Sequence, residues 1–196
     1  MSTTPRTPTG IPGLDEILNG GIPVGRVVLI VGGPGTGKTI LATQFLVNGI
    51  MDYGENSGFV SLDESKPHYY SEMLKFGWDL AKLEAERKFA FVDASPIRMI
   101  PGEVKIGKMS IGKRDFSILS LIEAFKAAAR VIDAKRIVID PIASLIFQFP
   151  EVIQRRNAVL DFIEALVSTG ATCMLTTELR APGLERAVQL EEYLAH

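Results

Sequence analysis

Cysteine, histidine and excess charge are all scarce in this 196-residue chain. Its one cysteine, Cys173, has no partner for an internal disulfide, and its apolar neighbours mark it as a small core residue rather than a reactive thiol. Of the two histidines, His68 stands in a polar Pro-His-Tyr-Tyr context that suits a helix surface better than a ligand role, and His196 is terminal. With 21 Lys and Arg against 23 Asp and Glu, the net charge of -2 exerts no overall pull toward nucleic acid or an anionic membrane. No apolar run approaches the ~18 residues that a membrane span needs. The Met-Ser-Thr-Thr-Pro-Arg-Thr-Pro start lacks the apolar segment of a secretory signal, so the expectation is a cytoplasmic protein with no membrane attachment. Internal repeats and low-complexity tracts are missing too. What remains, 46% apolar and 22% charged, reads as a globular chain able to bury about 70% of its unfolded surface in a single core.

The most informative stretch is Leu29-Ile30-Val31-Gly32-Gly33-Pro34-Gly35-Thr36-Gly37-Lys38-Thr39-Ile40-Leu41. An apolar run ends in a glycine-rich loop that opens through Lys-Thr into a helix-forming segment, the G-x-x-x-x-G-K-[ST] pattern in its strand-loop-helix setting. Gly32, Gly35 and Gly37 matter for the Cβ they lack, because consecutive backbone N–H groups have to point at one polyphosphate without side chains in the way. The backbone from Gly33, Pro34, Gly35, Thr36 and Gly37 through Lys38, Thr39 and Ile40 is the expected nucleotide cradle. A helix beginning near Gly37 turns its unpaired N–H groups and positive dipole end to the same anion. Lys38 adds a point charge on the β- and γ-phosphates, and Thr39 offers a hydroxyl to Mg²⁺.

Around this loop the chain alternates strand and helix. Residues 1–9 are Thr/Pro-rich and expected to be loose or extended, and residues 10–23 read as a short helix between two turns that covers the edge of a sheet. Strands are expected at 27–31, 58–62, 89–92, 137–140 and 171–176, and helices at 38–50, 67–76, 79–88, 116–132 and 151–168. The order predicts an α/β fold, a mostly parallel sheet with helices on both faces. Residues 94–116 differ in kind: Pro and Gly at intervals, five basic against two acidic side chains, and partial alternation suggest a solvated, protruding loop or hairpin.

Two strand ends supply carboxylates. The second strand delivers Asp63-Glu64-Ser65, and ligands of open α/β sheets bind outside such carboxyl ends. Glu64 is therefore the candidate to orient or deprotonate an attacking water, with Asp63 the runner-up; the plainer alternative is a helix cap formed by the same acids and Ser65. Ile137-Val138-Ile139-Asp140 places a second carboxylate beside the metal on Thr39. Thr176-Thr177-Glu178 ends the fifth strand, where a hydroxyl would sense the γ-phosphate.

Together, Gly13-Leu14-Asp15-Glu16-Ile17-Leu18 with Gly20-Gly21-Ile22-Pro23, the loop from Gly32 to Thr39, Phe59-Val60-Ser61-Leu62-Asp63-Glu64-Ser65, Phe76-Gly77-Trp78-Asp79-Leu80, the strand ending at Asp140 and the strand ending at Glu178 resemble the KaiC-like branch of the RecA superfamily. Six segments in the right order cover nearly the whole chain, which resembles the single-domain archaeal members more than the duplicated clock ATPase. The resemblance implies a RecA-like P-loop core, ATP rather than GTP, ATP hydrolysis with Mg²⁺, and a hexameric ring with nucleotide between subunits. Family members carry paired catalytic glutamates after the second strand; here Asp63 replaces the first and Glu64 keeps the second. Similar proteins continue past a segment like residues 191–196 into strands bearing a basic residue that reaches the neighbouring subunit's nucleotide. The expectation is one domain, 1–196, that stops before that point. Arg180 and Arg186 are the substitute candidates, and turnover is slowed by about 1,000- to 100,000-fold if neither serves.

Three functions are compatible with these residues. One is an ATPase whose ring state reports nucleotide status to a protein partner; another is a RecA-like DNA-binding motor, touching a strand through loops at 141–150 and 179–184; the third is a non-hydrolysing, nucleotide-gated scaffold. The two loops hold few basic residues, and Phe147 and Phe149 are their only aromatics, a thin inventory for single-stranded nucleic acid.

Overall fold

Why the chain folds around its loop is clearest from the strands. A computed structural model describes residues 4–94, 105–106, 109–110, 118–146, 149 and 151–178. Its elements in order are β1 (Arg6–Thr7), α1 (Leu14–Ile17), β2 (Ile22–Pro23), β3 (Val27–Gly32), α2 (Lys38–Tyr53), β4 (Ser57–Ser61), α3 (Lys66–Leu74), α4 (Leu80–Ala85) and β5 (Phe89–Asp93). There follow β6 (Lys105–Ile106), β7 (Met109–Ser110), α5 (Ile118–Ile132), β8 (Arg136–Asp140), α6 (Ile142–Ile146), α7 (Val152–Val167) and β9 (Thr172–Glu178).

Five strands form one fully parallel sheet in the order β3-β9-β8-β4-β5. Their residues are apolar on both pleat faces, as a sheet covered on both sides requires. Ile137, Ile139, Cys173 and Leu175 face one cluster with Phe125 of α5 and Phe162 and Leu166 of α7. Val138, Met174 and Phe59 face the other, with Phe45 and Leu46 of α2, Tyr69 of α3 and Leu80 at the start of α4. The fold is thus the expected α/β arrangement with helices on both faces. Cys173 is fully buried, and burial pushes its thiol up to about 12, in keeping with a packing role.

The topology also locates the cleft. From β4 the chain moves outward to β5 by way of α3 and α4, then returns by way of α5 to β8 on the other side of β4. The order therefore reverses between β4 and β8, and ligands of such sheets bind at the carboxyl ends beside that reversal.

Three expectations outside the central sheet can be compared with the structure, and one needs revision. Of the alternatives loose or extended, residues 6–7 take the second: β1 pairs antiparallel with β2, and Arg6 donates through Nη1 to the carbonyls of Leu18 and Gly21 at 2.9 and 2.7 Å. The helix within 10–23 is only four residues long and buries none of them. Its segment is held to α2, where Asn48 donates to the Gly10 carbonyl at 2.8 Å, and the preceding β1 is held to the amino end of β9, where Thr7 shares a 2.7 Å hydrogen bond with Thr172. Within 94–116, the described residues form the antiparallel pair β6–β7, the hairpin that partial alternation suggests.

Candidate functional site

The glycine-rich loop is curved as the spacing demands. Gly35 and Gly37 have φ of 73° and 85°, in the region that a side chain disfavours, and a Cβ on Gly32 would lie 2.6 Å from Thr36 Oγ1. Gly37 caps α2, a 16-residue helix whose first residues are Lys38 and Thr39. Lys38 Nζ and Thr36 Oγ1 both donate to the Gly33 carbonyl, at 2.8 and 2.9 Å.

A cleft of about 370 Å³ opens at this loop, lined by Pro34, Gly35, Gly37, Lys38, Thr39, Ile40, Asp63, Glu64, Asp140, Pro141 and Glu178. Lys38, Thr39, Asp63, Glu64 and Asp140, the polar side chains that the sequence pattern singles out for the chemistry, are therefore at one place. The elements responsible are the start of α2, the turn after β4 and the end of β8. Register explains the meeting: Ser61 of β4 is level with Asp140 of β8, and the Leu62 N–H donates to the Asp140 carbonyl at 2.9 Å.

Asp140 is held by two hydroxyls. Thr39 Oγ1 donates to its Oδ2 at 2.7 Å, and Thr176 Oγ1 donates to its Oδ1. Burial raises the Asp140 carboxyl above its ordinary range, against the lowering effect of those hydroxyls and of Lys38. Thr176 is fully buried on this contact, so its hydroxyl serves the aspartate, and Glu178 rather than a threonine lines the cleft from β9.

The two acids after β4 are held differently. Asp63 accepts a hydrogen bond at Oδ1 from Ser144 of α6. Glu64 is anchored by its backbone, whose N–H donates to Ser61 Oγ at 2.9 Å, while among the described residues none donates to its carboxylate. Partial burial raises the Glu64 carboxyl; His68 opposes this, and the like charges of Asp140 and Asp63 add to it. The capping alternative fares poorly. Ser65 sits at the N-cap of α3 without a side-chain capping bond, whereas Asp79 does cap α4, accepting from the Lys82 N–H at 3.0 Å.

Ser144 is the site residue that sequence reasoning misses. The only signal for it is a lone hydroxyl inside the apolar run Ile142–Ile146, four residues after Asp140. Arg180, Arg186 and the loop at 179–184 lie outside the described residues. The expected loop at 141–150 is largely the helix α6; Phe147 lies outside the described residues as well, which leaves Phe149 as the described aromatic there.

Among the described residues, no group of three or more His, Cys, Asp or Glu side chains is arranged to hold a metal. The donor set that does converge, a threonine hydroxyl and an aspartate carboxylate, consists of hard oxygens. It suits Mg²⁺, which keeps waters and phosphate oxygens and needs only one or two protein ligands. No helix among the described residues is long and apolar enough to cross a membrane.

Comparison with known proteins supplies a family. The family model described as the KaiC ATPase matches residues 7–196. A UPF0273 protein of Methanocaldococcus jannaschii is 39% identical over 197 residues, spanning 93% of this chain and 77% of the relative. The circadian clock protein KaiC3 of Synechocystis is 37% identical over 170 residues, 87% of this chain but 32% of that protein. The crystal structure of a KaiC-like protein from Pyrococcus horikoshii superposes with a TM-score of 0.80 at 36% identity, covering 98% of this chain and 78% of that one. The chain belongs to the KaiC-like family of nucleotide-binding ATPases, with the RecA-type fold and alongside the family's single-domain members.

Proposed function

We propose that this chain binds ATP with Mg²⁺ and hydrolyses the bond between its β- and γ-phosphates. The observation that carries the reading is the convergence of Thr39, Asp140 and Glu64, from three separate elements, at the mouth of the loop formed by Gly33 to Gly37. Among the described residues, the cleft presents four carboxylates, Asp63, Glu64, Asp140 and Glu178, and one ammonium, Lys38. A bare triphosphate would be repelled by that balance, and a divalent cation on Thr39 and Asp140 corrects it.

When bound, Mg²⁺ neutralises charge on the β- and γ-oxygens. The chain's own residues do the rest. Backbone N–H groups from Gly33 to Ile40 cradle the phosphates, and Lys38 exchanges its bond to the Gly33 carbonyl for a phosphate oxygen. Glu64, its carboxyl raised and accepting from none of the described residues, takes the proton of the attacking water as its oxygen bonds to the γ-phosphorus; the β–γ bridge breaks and ADP leaves. Asp63, the second acid of the pair, orients that water.

Family membership further supports a nucleotide-dependent homo-oligomeric ring, hexameric by resemblance, that signals its state to a protein partner. Light scattering of wild type and Lys38→Ala, with and without Mg-ATP and with phosphate release measured in parallel, tests both parts. The expected result is ATP-dependent assembly and phosphate release by wild type and neither by the variant. Assembly and turnover that are indifferent to Lys38 would remove the reading.

A further inference from the structure

We propose that Ser144 is a positioning residue for Asp63, fixing the direction that this acid faces and making it answer to the short helix that follows Asp140. The inference rests on the ATPase reading above and adds a residue to it. Ser144 is 8% exposed, the one hydroxyl in an otherwise apolar turn of helix, where an unpaired polar group is costly. A serine in a helix commonly turns its hydroxyl back to the carbonyl four residues earlier, which here belongs to Asp140. That carbonyl instead accepts from the Leu62 N–H at 2.9 Å, and the Ser144 hydroxyl crosses to Asp63 Oδ1. Its single hydrogen is thereby directed at one oxygen of the Asp63 carboxylate.

The neighbourhood explains why such a hold is needed. Asp63 and Asp140 are like charges lining one cleft, so each gains from a hold on its direction. Hydroxyls hold both: Thr39 and Thr176 hold Asp140, and Ser144 holds Asp63. α6 joins these two holds, since it begins directly after Pro141 and its third residue carries the tether. Beyond its far end, the Phe149 N–H donates to the Ile146 carbonyl at 3.2 Å and the Phe149 carbonyl accepts from Arg155 of α7 at 2.6 Å.

The test uses the full chain with Ser144→Ala, Ser144→Thr, Asp63→Asn and the Ala/Asn double variant. Steady-state ATP hydrolysis is measured with the dissociation constant of a fluorescent ATP analogue and the thermal unfolding midpoint. Ser144→Ala is expected to lower kcat by about 10- to 100-fold, the range for losing a group that orients another, while analogue affinity changes less than about twofold. Ser144→Thr, which keeps the hydroxyl, restores most of kcat. Asp63→Asn shows a loss of similar size, and the double variant falls no further than Asp63→Asn. Unchanged turnover in Ser144→Ala, or losses that multiply in the double variant, would overturn the tether. If Asp63→Asn keeps full turnover while Ser144→Ala loses it, the tether is likewise wrong although the ATPase reading stands. Should wild type itself release no phosphate, the ATPase reading fails, and a crystal structure of Ser144→Ala decides the geometric part: a carboxylate rotated away from α6 upholds it, and an unmoved one refutes it.

Discussion

The two ends of the central sheet handle charge in opposite ways. At the amino end, Arg136 opens β8 fully buried, yet two of its three nitrogens are matched: Nε donates to Glu55 at 2.6 Å, Nη1 donates to the Phe45 carbonyl at 2.8 Å, and the guanidinium lies 4.6 Å from the Phe45 ring and 5.2 Å from that of Tyr53. Only Nη2 lacks a partner among the described residues. Four residues later the same strand ends at Asp140, in a cleft where, among the described residues, four carboxylates meet one ammonium. Charges that cancel within the protein hold the fold together. Charges left in excess, in a cleft floored by backbone N–H groups, call for a ligand that brings a cation and an anion together.

That contrast yields predictions at both ends. The largest effect belongs to the cleft: Asp140→Asn should lower ATP turnover by about 100- to 1,000-fold, the usual loss for a group stabilising developing charge, and raise the Mg²⁺ concentration needed for half-maximal rate. At the other end, Arg136→Ala should cost about 3 kcal/mol in urea denaturation, because it strands a half-buried Glu55 and leaves a void. Its turnover per folded molecule should match wild type, and a variant that lost activity without losing stability would blur the division. Gly49→Ala probes the same place by overpacking: the new Cβ would lie 2.4 Å from Arg136 Nε, for an expected cost of about 1 to 3 kcal/mol by the same measurement.

The smallest effect reverses the sign. Glu64 has its carboxyl raised on folding, mainly by burial, so the folded state takes up a proton more readily than the unfolded chain. Its charge therefore costs stability at neutral pH, and that cost is relieved as pH falls through the raised value. Glu64→Gln should raise the thermal midpoint slightly near pH 7, with the gain vanishing below the ordinary carboxylate range. The hydrolysis rate of wild type should fall over the same interval as Glu64 is protonated. A midpoint lowered by Glu64→Gln at every pH would show that this carboxylate stabilises the fold instead.

Much of this is legible in the sequence. The apolar runs ending in Gly32, Asp140 and Glu178 betray buried parallel strands, and glycines at 35 and 37 announce a backbone that side chains would obstruct. Acids at strand ends are placed on one side of the sheet by topology alone, which brings Asp63, Glu64 and Asp140 to the loop. What stays hidden is what depends on contacts between distant parts of the chain. Ser144 is 81 residues from Asp63, and nothing local separates its hydroxyl from any other helix serine. An arginine at the start of a strand reads as solvated until Glu55 and Gly49 are seen around it. Strand-end position is visible in sequence and suggests a phosphate-sensing hydroxyl within Thr176-Thr177-Glu178, whereas the turn of the Thr176 hydroxyl toward Asp140 is not. The β1–β2 pair is two residues on each strand, too short for alternation to register.

The central claim is that one carboxylate, Glu64, activates water against a nucleotide held by other groups. Its most direct measurement is phosphate release under Mg-ATP together with nucleotide retained on the same protein, for wild type and Glu64→Gln. The account predicts that the variant keeps ATP bound and intact, its release slowed by about 100- to 10,000-fold, while wild type converts what it binds. Equal phosphate release by the two proteins would contradict it.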